Sequence, residues 1–443
     1  MKGKEDLREI AVAIFQAGIA AVDPSAALKK YLCRRGDLLI VGSNRYDLRD
    51  YKRVLVVGAG KAAAPMAAGL EEVLADKLTT GLIVVKYGHG LPLKLIKVVE
   101  AGHPLPDEAG EKGAEEVINL LKDCTDTDLV FCLLSGGASA LLPAPARGIS
   151  LKDKQEVTNL LLKSGAHISE VNAVRKHLSR LKGGGLAAIT YPATLVALIL
   201  SDCVGDPLEV IASGPTAPDL TSFKDCLEIL RRYNIADKVP AEVVERFIAG
   251  AEGKVPETPK EGNQGLEKTQ NLIVGNNLLA TRAARDKAEE MGFNSVILST
   301  FIQGESREVA RVLAAIIKEI RVTGQPVAPP ACLIAGGETT VSVKGDGMGG
   351  RNQELALAAA LEIKGLKDVL LLSAGTDGTD GPTDAAGAFA DGSTVERGLK
   401  RKLAPHEFLE RNDAYNYFYG LGDLLVTGPT RTNVMDLIVI LVA

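Results

Sequence analysis

Lys61 closes the segment Gly58-Ala-Gly-Lys61, which follows the β-branched run 53–57 and precedes an alanine-rich stretch, 62–74. A glycine turn between strand and helix offers backbone N–H groups and a helix dipole to an anion. A lysine at a helix start stands where the dipole disfavours a cation, so a bound anion accounts for its charge. The turn is not a full dinucleotide fingerprint, because position 63 is alanine, and it lacks the spacer and hydroxyl of a Walker A loop. A plain turn with a solvated lysine is the bland alternative.

Similar turns recur. Ser135-Gly136-Gly137-Ala-Ser139 follows the apolar run 130–134, and two glycines between two hydroxyls make a cradle for phosphate or carboxylate oxygens. Asn172, Arg175, Lys176, His177, Arg180 and Lys182 crowd into one expected helix, 172–182, ahead of three glycines; a solvated basic face is the alternative. Asp202 and Asp206 follow the run 196–200, and two carboxylates at a strand end suit Mg²⁺, which takes one or two carboxylates plus substrate phosphates. Gly336-Gly337-Glu338 is expected to turn after a strand, 331–335. Arg351 and Asn352 open a helix after the glycine loop 345–350, and the guanidinium fork fits a phosphate or carboxylate clamp. Asp377, Asp380 and Asp384 share one loop, either binding metal or substrate or capping itself. Asp107, after His103-Pro-Leu-Pro, is read as a helix cap.

Apolar β-type runs alternating with helical patterns carry these turns. They imply an α/β protein with a parallel sheet covered on both faces. A first helix over residues 4–21 presents Leu7, Ile10, Ala11, Ile14 and Phe15 at helical spacing. Residues 249–270 are nearly devoid of aliphatic side chains and read as a linker between domains 1–248 and 271–443, with the last apolar run, 437–442, free to return to the first domain. Charge excludes nucleic acid as main partner: 51 Lys+Arg against 56 Asp+Glu leave −5. No apolar run is long enough for a membrane span, and a cytoplasmic protein is expected. The six cysteines form no CxxC pair and are read as reduced.

Taken in order, GAGKAA, AGHPLPDEAG, LLSGGASALL, VNAVRKHLSRLKGGGLA, SDCVGDPLEVIASGPT, GGET, GGRNQELALA, SAGTDGTDGPTDAAG and TGPTRTNVMDL resemble the glycerate 2-kinase family, whose C-terminal part is called MOFRL. The resemblance covers nearly the whole chain. It implies ATP- and Mg²⁺-dependent phosphorylation of D-glycerate to 2-phosphoglycerate, on a Rossmann-like doubly wound domain facing a second α/β domain across an active-site cleft. It ties Lys61 and Arg351 to catalysis, both expected to line solvent and to matter little for stability. Gly58, Gly60, Ser135, Gly136, Gly137, Ser139, Asn172, Arg175, Lys182, Gly336, Gly337, Glu338 and Asn352 become candidates for binding substrate or nucleotide. Asp202, Asp206, Asp377 and Asp384 become candidates for Mg²⁺ or for the base that takes the hydroxyl proton. Where family members often read TGPTGTN, this chain has Arg431. The alternatives are an NAD(P)-dependent hydroxypyruvate reductase and a non-catalytic sugar-phosphate sensor.

Overall fold

The computed structural model describes residues 4–443, with side chains from Asp6 onward. The chain forms two compact units, one of Pro24–Val274 and the other of Met1–Asp23 with Gly275–Ala443.

The first unit begins with an antiparallel meander of β1 (Leu32–Arg35), β2 (Leu38–Val41) and β3 (Asn44–Asp47). Its main sheet contains β4 (Arg53–Ala59), β5 (Thr80–Lys86), β6 (Ile96–Ala101), β7 (Asp128–Leu134), β8 (Thr194–Leu200) and β9 (Thr269–Gly275), in the spatial order β6-β5-β4-β7-β8-β9. The pairs β4/β5, β4/β7, β5/β6 and β7/β8 are parallel. Counted along the chain this order is 3-2-1-4-5-6, the doubly wound arrangement whose switch point lies between β4 and β7. Every residue of β7 is buried, as a strand covered on both faces requires. Local chemistry sets the helix ends. Asp107 accepts from the Gly110 N–H at 2.9 Å to cap Glu108–Leu121, as expected, and Ser150 and Asp153 form a reciprocal box at the start of Leu151–Lys163.

The second unit holds β10 (Asn294–Glu305), β11 (Ala331–Thr340), β12 (Val369–Gly375), β13 (Gly387–Asp391), β14 (Leu424–Leu425) and β15 (Asp436–Val442), ordered β10-β11-β15-β12-β13-β14. Only β10/β11 is parallel here; the last strand, β15, enters the middle of the sheet antiparallel to both β11 and β12. Its side chains alternate between two cores. Leu437, Val439 and Leu441 pack with the helices Lys4–Ala21 and Asn277–Glu290. Ile438, Ile440 and Val442 pack with Ser306–Thr323 and Arg351–Glu362.

Several expectations are corrected. The helix Lys4–Ala21 forms where its periodicity places it, but its apolar face lies on the second sheet, so the N-terminus belongs to the C-terminal unit. The last strand stays in the second unit. The stretch read as a linker is a surface strap of the first unit instead: Glu257 accepts from Phe223 N–H, Thr258 Oγ1 donates to Asp219, and β9 then joins the first sheet. The crossings between units fall at residues 23–24 and 274–275. Gly336, Gly337 and Glu338 lie within β11, not in a turn, because Gly336 pairs with Leu437 and Gly337 with both Asp436 and Ile302. The basic helix ends at His177, leaving Arg180 and Lys182 in the turn beyond it.

Ile440 is fully buried at the centre of this double-sided packing. Ile440→Ala should lower unfolding free energy by about 3 kcal/mol, the scale for a large-to-small core change, measured by urea denaturation; an unchanged midpoint would contradict the assigned burial.

Candidate active site

At the switch point two glycine turns are sewn together. Ser135 N–H donates to Ala59 O at 3.1 Å, Lys61 N–H to Gly136 O at 2.8 Å, and Ala62 N–H to Ser135 Oγ at 3.0 Å. The glycines have a steric reason. A Cβ on Gly58 would lie 2.2 Å from Leu133 O, and one on Gly60, whose φ is +135°, would lie 2.1 Å from Ser135 Oγ. Gly58, Gly60 and Ser135 thus bring β4 and β7 close enough to share an edge, and that packing explains their types before any ligand is invoked. Gly137 takes φ +87° and packs against the His103 ring, where a Cβ would come within 2.9 Å.

Beside this edge opens a cavity of about 440 Å³, lined in part by His103, Gly137, Ser139, Lys154, Arg175 and Lys182. Lys182 Nζ donates to Ser139 O at 2.6 Å, and burial, reinforced by Lys154 and Arg175, pushes its ammonium well below the ordinary lysine range. Lys154 Nζ is buried without a hydrogen-bond partner, and burial with the nearby Arg175 charge lowers its pKa to about 7. Burial also lowers Arg175. His103 falls to about 4 through burial and the adjacent Lys61 charge, so its imidazole is neutral at physiological pH.

The expected basic cluster divides by direction. Arg175 and Lys182 line the cavity, whereas Asn172 is not among its lining residues. Lys176 turns away to pair with buried Asp219 at 3.2 Å, His177 bridges Ala173 O and Glu257 at 2.8 Å each, and Arg180 is held by Glu115 and by Pro145 O. Ser139 Oγ lies 2.8 Å from Ser213 Oγ, which also reaches Asn172 Oδ1 at 3.4 Å. Ala212, Ser213 and Gly214 all have φ between 54° and 63°. Left-handed backbone costs a non-glycine residue about 1 kcal/mol or more. Gly183 and Gly184 N–H groups hold it by donating to Ser213 O and Gly214 O.

In the second unit Arg351 opens its helix as expected, yet its fork is already engaged. Nε and Nη2 donate to Asp436 at 2.6 and 2.9 Å, and Nη1 to Glu338 at 2.7 Å. Against the cost of burial, the Asp436 and Glu338 charges hold the guanidinium above even its usual range. Asn352 Nδ2 donates to Asp436 and Asp380, and Ser373 Oγ donates to Asn352 Oδ1 at 2.6 Å. Asp380 caps the helix through Asn352 N–H and Gln353 N–H, while burial raises its carboxyl to about 6. Gly336 and Gly337 again answer to packing: a Cβ would strike Asn277 Oδ1 at 1.7 Å or Ile302 O at 2.1 Å.

The metal candidates are divided between the units, Asp202 and Asp206 in the first and Asp377 and Asp384 in the second. Among the described residues no group of three or more His, Cys, Asp or Glu could hold a metal ion. Asp377 accepts from Thr379 N–H and Oγ1, and Asp384 from Tyr415 OH. Asp202 and Asp206 share the loop after β8, both half-buried, a donor pair sufficient only for an ion that arrives with other oxygen ligands. Arg431 is exposed at φ +64°, a conformation glycine adopts without strain. Sequence reasoning missed Lys154 and Asp436 and gave His103 only the weakest notice. Lys154 sits among Lys152, Asp153 and Glu156, which read as a solvated helix face.

A sheet in this order, with two glycine turns meeting at its switch point and basic side chains lining the cavity beside them, defines a doubly wound α/β protein. Residues 10–248 match the family described as domain of unknown function DUF4147, and residues 331–436 match the MOFRL family. The D-glycerate 2-kinase of Thermotoga maritima is 44% identical, covering 98% of each chain. A protein of Agrobacterium vitis under the provisional name hydroxypyruvate reductase is 40% identical over 98% of this chain and 94% of its own. The crystal structure of a glycerate kinase from Thermotoga maritima matches with a TM-score of 0.88 at 43% identity, over 99% of this chain and 100% of that one. The chain belongs to the glycerate 2-kinase family.

Arg351 is therefore not stability-neutral. Arg351→Gln leaves the Asp436 carboxylate, 4% exposed, without its counter-charge. Unfolding free energy should fall by about 3 kcal/mol, the scale for breaking one side of a buried pair. Guanidinium denaturation measures it; unchanged stability would mean the pair is solvated in solution.

Proposed function

We propose that this chain is a D-glycerate 2-kinase, which transfers the terminal phosphoryl group of ATP to the 2-hydroxyl of D-glycerate. The observation that carries the reading is the cluster of buried cations beside the sewn glycine turns, in a member of this family. Phosphoryl transfer asks a protein chiefly for positioning and for charge stabilisation. Lys61, at the start of the helix Ala63–Leu74, is suited to neutralise charge on the migrating group. Gly136, Gly137 and Ser139 border the space where phosphate or carboxylate oxygens would sit. Mg²⁺ would accompany the nucleotide phosphates and neutralise their charge; Asp202 and Asp206 are the carboxylates suited to hold it in the first unit. Arg351, Asn352 and Glu338 form a pre-oriented polar group whose role toward substrate is a further part of this proposal.

The reductase reading finds less support. A dinucleotide fold uses a third glycine in the first turn and an acid about 20 residues on for the ribose. Position 63 is alanine, β5 ends on Lys86, and Asp76 stands in the short turn Ala75–Lys77, paired with Arg34 at 2.8 Å.

Incubated with D-glycerate, ATP and Mg²⁺, the protein should release ADP and 2-phosphoglycerate in equal amounts, with no NADH or NADPH oxidation by hydroxypyruvate; reductase turnover without ADP release would reverse the assignment. Lys61→Met should lower kcat by roughly 10²–10³, the effect of losing one preorganised electrostatic contact. Near-native turnover at saturating substrate would remove Lys61 from the mechanism.

A further inference from the structure

The cavity beside the switch point is built for something other than a three-carbon acid. At about 440 Å³ it falls within the roughly 300–1,000 Å³ that encloses a drug-sized ligand. One wall is apolar, with Leu105, Pro106, Leu151 and Leu162, and glycerate has no hydrocarbon face to lay against it. Leu105 and Leu162 are 67% and 52% exposed, so this wall includes large apolar side chains left open to solvent. The cavity also presents Lys154, Arg175 and Lys182. Among the described residues none of the three is in an ion pair, and Lys154 Nζ makes no hydrogen bond at all. Burial first, and repulsion among these neighbouring cations second, depress Lys154 and Lys182 together, and the Glu111 charge opposes this at Lys154 only in part. A polyanion can face all three side chains at once, and a single carboxylate cannot.

We infer that this cavity is the nucleotide subsite, with the base against the apolar wall formed by Leu105, Pro106, Leu151 and Leu162, and the phosphate chain on Lys154, Arg175 and Lys182. The inference rests on the kinase reading and adds to it a place for the phosphoryl donor and a binding residue, Lys154. The fold agrees: ligands of open α/β sheets sit beyond the carboxyl ends of the strands at a switch point, and Gly137 and Ser139 of the cavity wall directly follow β7. His103 lines the same cavity and feels the Lys61 charge, so the subsite adjoins the lysine assigned to the migrating phosphoryl group.

Binding of ADP, pyrophosphate and D-glycerate to the full chain, followed by titration calorimetry, tests this directly. Lys154→Met should weaken ADP and pyrophosphate alike by about tenfold or more, as expected for losing a charge-assisted contact, while KM for glycerate stays within about twofold of wild type. Its thermal midpoint should hold or rise, since an unpaired buried charge has been removed. Leu162→Ser, on the exposed part of the wall, should weaken ADP by about threefold through lost apolar contact and leave pyrophosphate unchanged. ADP affinity within twofold of wild type in Lys154→Met overturns the proposal, as does a raised glycerate KM with ADP binding intact, which would give the cavity to the hydroxy acid. Equal weakening of ADP and pyrophosphate by Leu162→Ser overturns the placement of the base. Wild-type protein that makes 2-phosphoglycerate yet fails these tests refutes the subsite alone. Wild-type protein that binds ADP as described but makes no 2-phosphoglycerate refutes the kinase reading instead.

Discussion

The contact between Gly60 and Ser135 is the constraint on which the first unit's functional edge depends. With no Cβ at residue 60, Ser135 Oγ comes close enough to accept the Ala62 N–H, and Lys61 N–H can reach Gly136 O. These bonds fix the Lys61 backbone against the turn that follows β7. That turn in turn sets Gly137 against His103 and presents Ser139, whose carbonyl receives Lys182 and whose hydroxyl meets Ser213. A larger residue at position 60 would have to displace Ser135 backbone as well as its Oγ, so its effect would spread along this chain of contacts.

Much of this was legible in the chain. Strand-ending glycine turns marked the edge, and the β-branched runs of β4, β7 and β8 carry a period and composition that only a sheet buried on both faces uses. The helix Lys4–Ala21 was legible for the same reason, in its spacing of apolar residues. Its location was not, because the surface it covers is made by residues 284–441, and periodicity says that a face is buried without saying against what. Gly336 and Gly337 misled for a related reason: two adjacent glycines read as a turn, whereas here they keep β11 clear of Asn277 and Ile302. The loop 249–270 misled because a strap can be held by polar partners such as His177 and Asp219 as firmly as by aliphatic ones.

Charged side chains were the least legible part, since sequence shows a charge but not its compensation. Arg351 looked like a cation awaiting an anion. In the structure its partners come from two strands, Asp436 on β15, 85 residues on, and Glu338 on β11, 13 residues back, and Asp436 links it to Asn352 and through that to Ser373. Lys154 looked like an ordinary surface lysine and is the buried one with no hydrogen bond.

The two units therefore handle partly or fully buried cations differently. Arg351 meets internal carboxylates, so its desolvation cost is largely offset within the fold, and its geometry is fixed whether or not a ligand is present. Lys154, Arg175 and Lys182 have no carboxylate in ion-pair contact; the Glu111 charge favours Lys154 and the Ser139 carbonyl holds Lys182, yet burial still depresses both lysines. Replacing any one by a neutral residue would relieve that cost, so stability alone gives no reason for this arrangement. The proposed polyanion supplies one, because phosphate oxygens placed among the cations would offset their repulsion and turn a cost of folding into affinity.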